Sequence, residues 1–107
     1  MTLGRPRLHL RSTGSTNERA RDLALAGAPH GTVVNAGEQT AGRGRQGRGW
    51  STPPGSALAL SLVIRDPDPL LSLRAGLAVA DLAGPAATVK WPNDVLLDGR
   101  KVAGVLV

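Results

Sequence analysis

Cysteine, phenylalanine and tyrosine are all missing from this chain, and its 107 residues hold two tryptophans, two lysines and two histidines. Each scarcity excludes something. Without cysteine there is no disulfide framework, no thiol nucleophile and no cysteine-based zinc site, a composition that suits a reducing cytoplasm. With so few aromatics the core must be built from leucine, valine and alanine, and each tryptophan needs its own explanation. His9 and His30 lie apart and in no motif, so they are read as surface or turn residues rather than metal ligands. No apolar run approaches the roughly 18 residues of a membrane span. The basic segment Met1–Arg7 precedes no uninterrupted apolar stretch of the kind a signal peptide needs. A soluble cytoplasmic protein is expected, with no membrane partner.

What the chain does have is arginine. Of its 13 basic residues only Lys90 and Lys101 are lysines, and the formal net charge is +5. That balance favours anionic partners: phosphates, nucleotides, nucleic acid or an acidic protein. Composition does not choose among them.

Periodicity predicts a mixed α/β arrangement, an α+β fold with a sheet and flanking helices. Leu8–Arg11 alternates as a short strand, and Thr16 or Asn17 can cap a helix running to Ala26, with Gly27 as its stop. Thr32–Val34 reads as a buried strand, and Ser56–Ile64 as another. Apolar residues at 70, 73, 77 and 80 mark a second helix, closed by Gly84-Pro85. Thr88–Trp91 and Asp94–Leu97 are short strands on either side of Pro92. Asp98-Gly99 is the strongest hairpin signal in the chain, with Lys101–Val107 as the returning strand. Residues 38–55 show no periodicity and are expected to be one long polar loop, a length that usually marks function.

That loop contains Gly42-Arg43-Gly44-Arg45-Gln46-Gly47-Arg48-Gly49-Trp50. Its formal G-x-G-x-x-G is no dinucleotide fingerprint, because Gly49 and Ser51-Thr52-Pro53-Pro54-Gly55 forbid the helix that motif must open. No Walker sequence is present either. Glycines let backbone approach a ligand closely, and arginine forks hold phosphate or carboxylate. Trp50 offers a flat surface for a base. From the loop alone a solvated flexible segment with a core tryptophan is an equal reading, and an RGG-like nucleic-acid contact is a third.

Four segments together carry a resemblance. Ser15-Thr16-Asn17, Glu38–Trp50, Lys90-Trp91-Pro92-Asn93-Asp94-Val95 and Arg100-Lys101-Val102-Ala103-Gly104-Val105-Leu106 occur in the order and approximate spacing of biotin–protein ligases. The chain resembles the N-terminal part of that family's catalytic domain. The resemblance implies a class II aminoacyl-tRNA synthetase/biotin ligase-like sheet, here truncated to one partial domain over 1–107, without a helix-turn-helix domain and without the C-terminal part of the catalytic domain.

It also implies a reaction. Biotin would be activated by ATP, with magnesium, to biotinyl-5′-AMP, and the biotinyl group passed to a lysine of a biotin carboxyl carrier protein. Arg45 and Lys101 are the implied catalytic cations. Ser15, Thr16, Asn17, Gln39, Arg43, Gly44, Arg45, Lys101 and Gly104 are the implied biotin contacts, and Arg43, Arg48, Trp50, Lys90, Asn93 and Asp94 the implied nucleotide contacts. Trp91 is assigned to packing. DNA is not an expected partner, whereas a homodimer is compatible with the family. A truncated fragment that binds biotin without turning it over, and a lipoate–protein ligase relative, stand as the alternatives.

Overall fold

The structure, a computed structural model, describes residues 3–107, with Arg45 described by its backbone alone. The reading of the N-terminal segment as no signal peptide thus falls partly on Met1 and Thr2, outside the described residues. Among those described, no helix is long and apolar enough to cross a membrane. The chain forms two compact units, residues 1–66 and 67–107.

In the first unit, β1 (Arg7–Leu10), α1 (Thr16–Leu25) and β2 (Val33–Ala36) make a strand–helix–strand crossover, and β1 and β2 pair in parallel. Parallel neighbours need such a crossover, because a tight turn cannot reverse the chain twice. The strand β5 (Ala59–Leu62) adds antiparallel to β2, so the sheet order is β1-β2-β5. Register sorts the side chains. Leu8, Val34 and Ser61 lie opposite one another, as do Leu10, Ala36 and Ala59. This face meets α1, where Ala20, Val34 and Val63 form a small core backed by Leu8, Leu10, Leu23 and Ala24.

The other face runs Arg7, Val33, Leu62 and then His9, Asn35, Leu60. Here Leu58, Leu60 and Leu62 are 71%, 50% and 38% exposed. With Leu3 they line a shallow groove of about 440 Å³. His9 Nδ1 lies 2.8 Å from Asn35 Nδ2 on the same side, and His30 Nδ1 accepts from the Arg65 N–H at 3.0 Å.

The expected long loop is a hairpin instead. The strands β3 (Gln39–Arg43) and β4 (Gly49–Thr52) pair antiparallel, with a single 3₁₀ turn, Arg45–Gly47, at the tip. Three hydrogen bonds tie β3 and the residue before it to the chain before α1: Thr13 N to Glu38 O, Thr40 N to Thr13 O, and Ala41 N to Gly14 O. Backbone partners supplied by residues far along the chain, rather than side-chain alternation, make this segment extended.

In the second unit, α2 (Leu71–Ala83) packs on a meander of β6 (Ala87–Lys90), β7 (Asp94–Leu97) and β8 (Arg100–Gly104). The returning strand ends at Gly104 rather than Val107, although Val105 N still donates to Asn93 O at 2.8 Å. The Asp98-Gly99 turn has φ of +52° and +75°, the double left-handed conformation that a two-residue hairpin of this hand requires. The expected apolar stripe of α2 is only partly covered: Leu70 and Leu77 are each 50% exposed, and Gly76 is the buried residue. Trp91 does not pack; it is 69% exposed in the turn between β6 and β7.

Candidate functional site

Ser15, not Thr16 or Asn17, caps α1. Its backbone is extended and its hydroxyl accepts from the Glu18 N–H at 3.3 Å, satisfying one of the helix's orphan donors. That leaves the next two residues for other bonds. Gln39 Oε1 accepts from both the backbone N–H and the hydroxyl of Thr16, at 2.7 and 3.0 Å. The Thr16 hydroxyl also lies 2.9 Å from Ser61 Oγ, and Ser61 donates to Asn17 Oδ1 at 3.0 Å. Ser15, Thr16 and Ser61 are all buried. Three of the expected ligand residues, Thr16, Asn17 and Gln39, thus meet with Ser61 in one uncharged hydrogen-bonded cluster, and the cap Ser15 precedes it in the chain. Each neutral hydrogen bond contributes only about 1 kcal/mol net. In a unit with so thin a core, several of them are a substantial part of what docks the start of α1.

Gly42 lies against this cluster. A Cβ there would stand 2.5 Å from Trp50 O and 2.8 Å from Gln39 Nε2, so only glycine lets β3, β4 and the Gln39 amide come this close. Beyond Gly42 the arginines begin. Arg43 is exposed and its guanidinium lies 3.4 Å from Glu18 Oε1, while Gly44 N donates to Arg48 O at 2.7 Å and closes the tip. The Arg45 side chain lies outside what the structure describes. Arg48 is exposed, and Trp50 is partly so, at 37%. The first unit therefore sets a neutral polar cluster beside a cationic, glycine-rich hairpin.

In the second unit, Lys90 and Gly104 flank Asp94 in the register of the meander. A bulge on β8 leaves Val102 unpaired, so Lys101 faces Leu96 while Ala103 faces Val95. Asp94 and Leu96 share a face because strand side chains alternate, and the long lysine reaches diagonally. Lys101 Nζ comes to 2.9 Å from Asp94 Oδ1, off the ideal hydrogen-bonding direction. Asn93 contributes its carbonyl to Val105. Among the described residues no group of three or more histidine, cysteine or acidic side chains could hold a metal ion. The Asp94 carboxylate is already engaged by a lysine.

Sequence reasoning missed Ser61. The signal was a lone polar residue on one face of an apolar strand, Ala59-Leu60-Ser61-Leu62-Val63. It was hidden because the leucines, the larger residues, suggest the inward face, and they point outward.

Comparison with known proteins gives the class. Residues 9–107 match the Biotin/lipoate A/B protein ligase family, and the chain belongs to it. It is 46% identical over 108 residues to the biotin–[acetyl-CoA-carboxylase] ligase of Mycobacterium tuberculosis, covering 88% of this chain and 41% of that one. To the bifunctional ligase/repressor BirA of Bacillus subtilis it is 43% identical over 101 residues, 86% of this chain and 31% of that protein. The chain thus spans well under half the length of these relatives. Among solved structures, biotin protein ligase from Leishmania major in complex with biotin aligns with a TM-score of 0.77 at 32% identity, over 94% of this chain and half of that one. The Aquifex aeolicus enzyme in complex with biotin and ATP aligns with a TM-score of 0.76 at 32% identity, over 95% and 46%. The mixed α/β architecture with its two helices is that of the biotin protein ligases.

Proposed function

We propose that this chain forms the biotin-binding and biotin-activating part of a biotin–protein ligase. The observation that carries the reading is the junction in the first unit, where an uncharged buried cluster adjoins an arginine–glycine hairpin. Biotin has the matching polarity, a neutral urea at one end and a carboxylate at the other. Hydroxyl and amide groups of Ser15, Thr16, Asn17 and Gln39 suit the urea, which can both donate and accept. Arg43, Arg45 and Arg48 suit the carboxylate and the phosphates it must meet. Gly44, Lys101 and Gly104 complete the proposed biotin contacts. Trp50, Lys90, Asn93 and Asp94 take the nucleotide, which enters as its magnesium complex.

The chemistry follows from charge. A biotin carboxylate oxygen attacks the α-phosphorus of ATP, the bond to the β-phosphate oxygen breaks, and pyrophosphate leaves with its electron pair. Two anions must be brought together, so fixed cations lower the barrier by offsetting repulsion and the charge developing on the phosphoryl oxygens. Arg45 and Lys101 are assigned to this step. The neutral amine of a carrier-protein lysine then attacks the mixed anhydride, forming the amide and releasing AMP. The reducing cytoplasm is the setting the cysteine-free composition suits.

The test is calorimetric titration of this chain with biotin, then with ATP and magnesium, with lipoate as the competing ligand. Saturation at one biotin per chain and no heat with lipoate is the expected result. Lipoate carries no urea to engage the hydroxyl and amide cluster, so preferential lipoate binding would overturn the assignment.

A further inference from the structure

We infer that Thr52 is a ligand-binding residue, its hydroxyl kept unpaired at the base of the hairpin to meet the urea of biotin. The inference rests on the biotin reading above and deepens it. Thr52 ends β4 and is only 3% exposed, whereas the other three residues of that strand are open to solvent. Its Oγ1 is buried and has no hydrogen-bond partner among the described residues. A hydroxyl in that state has given up its bonds to water without replacing them, and proteins seldom leave one so.

The strand register says where this hydroxyl lies. Gln39 and Thr52 are direct partners in the antiparallel pairing of β3 with β4. Residues directly opposed in such a ladder put their side chains on the same face. From that face Gln39 reaches Thr16, so Thr52 borders the neutral cluster.

Gln39 is the natural partner for the Thr52 hydroxyl, and it is already engaged. The Thr16 backbone N–H can only donate, which fixes the Gln39 atom facing it as the amide oxygen. That oxygen takes the Thr16 hydroxyl as well, so both of its lone pairs are used. The amide nitrogen is turned towards Gly42, where it stands 2.8 Å from the position a Cβ would occupy. The cluster thus satisfies itself and leaves one buried hydroxyl over.

Position along the hairpin selects the part of the ligand. The ladder runs from Gln39 and Thr52 at the base, through Gly42 and Trp50, to Arg43 and Gly49 at the tip. With strands rising about 3.3 Å per residue, Thr52 stands on the order of 10 Å from the arginines. A ligand whose carboxylate lies among those arginines brings its neutral head, not its charge, to Thr52. A hydroxyl both donates and accepts, and so does a urea, so the match holds whichever edge of the ring is presented.

Thr52→Val keeps the branched shape and removes only the hydroxyl. Since that hydroxyl bonds nothing in the ligand-free protein, the melting temperature of the variant should hold or rise. Biotin affinity, read by calorimetry, should fall about tenfold, the effect of one hydrogen bond to a buried group. Desthiobiotin, which keeps the urea and the acid but lacks the thioether, should weaken by the same factor. Thr52→Ser, which returns the hydroxyl without the methyl, should recover most of the loss.

A lower melting temperature in Thr52→Val would mean that the hydroxyl has a partner within the protein, and would overturn the inference. So would biotin affinity equal to that of the unaltered chain, or a serine variant that binds no better than valine. A loss seen with biotin and not with desthiobiotin would place the hydroxyl against the thioether and overturn the urea assignment. If the unaltered chain binds no biotin, the proposed function falls and this inference with it. If it binds biotin and Thr52→Val binds equally well, this inference falls alone.

Discussion

Gln39 Oε1 receives both the backbone N–H and the hydroxyl of Thr16, joining the start of β3 to the first turn of α1 through one atom. Gln39→Ala leaves the buried Thr16 N–H without the acceptor that Gln39 supplied, while the Thr16 hydroxyl keeps Ser61, and is expected to cost about 1–3 kcal/mol. Gln39→Glu keeps the acceptor but places a charge beside a cluster suited to a neutral ligand. It should unfold near the temperature of the unaltered chain while losing at least about tenfold in biotin affinity. Thermal unfolding and calorimetry separate the two effects. Equal biotin affinity in Gln39→Glu would remove Gln39 from the ligand site.

Gly42→Ala should damage the hairpin directly, because the new methyl would land on Trp50 O and the Gln39 amide. Neither strand backbone can retreat cheaply, so a loss of about 1–3 kcal/mol is expected, the range for overpacking. Denaturant unfolding measures it. A stability change near zero would mean that β3 and β4 separate more readily than their register suggests.

Ser15 serves as the cap of α1 and as a proposed biotin contact, and the two duties can be pulled apart. Ser15→Ala loses the cap and should cost about 0.5–2 kcal/mol. Ser15→Asp retains capping and adds a favourable charge at the helix N-terminus, but it faces a neutral ligand with an anion. The expected pattern is restored stability with weakened biotin binding. Should both variants bind biotin as the unaltered chain does, Ser15 is a cap and nothing more.

Lys101→Ala and Arg45→Ala, introduced into a ligase-competent protein carrying this sequence, should each reduce pyrophosphate release on the order of a hundredfold, a typical effect of removing one charge-stabilising group. Asp94→Asn should share part of the Lys101 effect, because Asp94 holds that ammonium at 2.9 Å. Melting temperatures should move little in the two cation variants. Undiminished pyrophosphate release in both would withdraw the catalytic roles.

Some of this was legible from spacing. Asp94–Leu97 and its Asp98-Gly99 turn were readable because strand and turn both have local chemistry, and the helix of residues 16–25 announced itself by a polar start and a glycine stop. Residues 38–55 were not readable as a hairpin. Glycine and arginine leave no alternation there, and the bonds holding β3 come from Thr13 and Gly14, too far along the chain for any window to register. The choice of cap failed for a related reason. Ser15, Thr16 and Asn17 are all good caps in isolation, and only the positions of Gln39 and Ser61 decide which of them is left to serve the helix.

The strand that carries Ser61 inward carries Leu60 and Leu62 outward, and with Leu58 just before it they face a groove open to water. The bulkiest apolar residues of this segment are therefore the ones on which the folding of this unit depends least. Polar replacements such as Leu58→Ser or Leu60→Thr should leave thermal stability within about 0.5–1 kcal/mol while improving solubility, because an uncovered apolar face is where copies of a chain adhere. For anyone wishing to keep this chain monomeric at high concentration, those leucines are the place to begin.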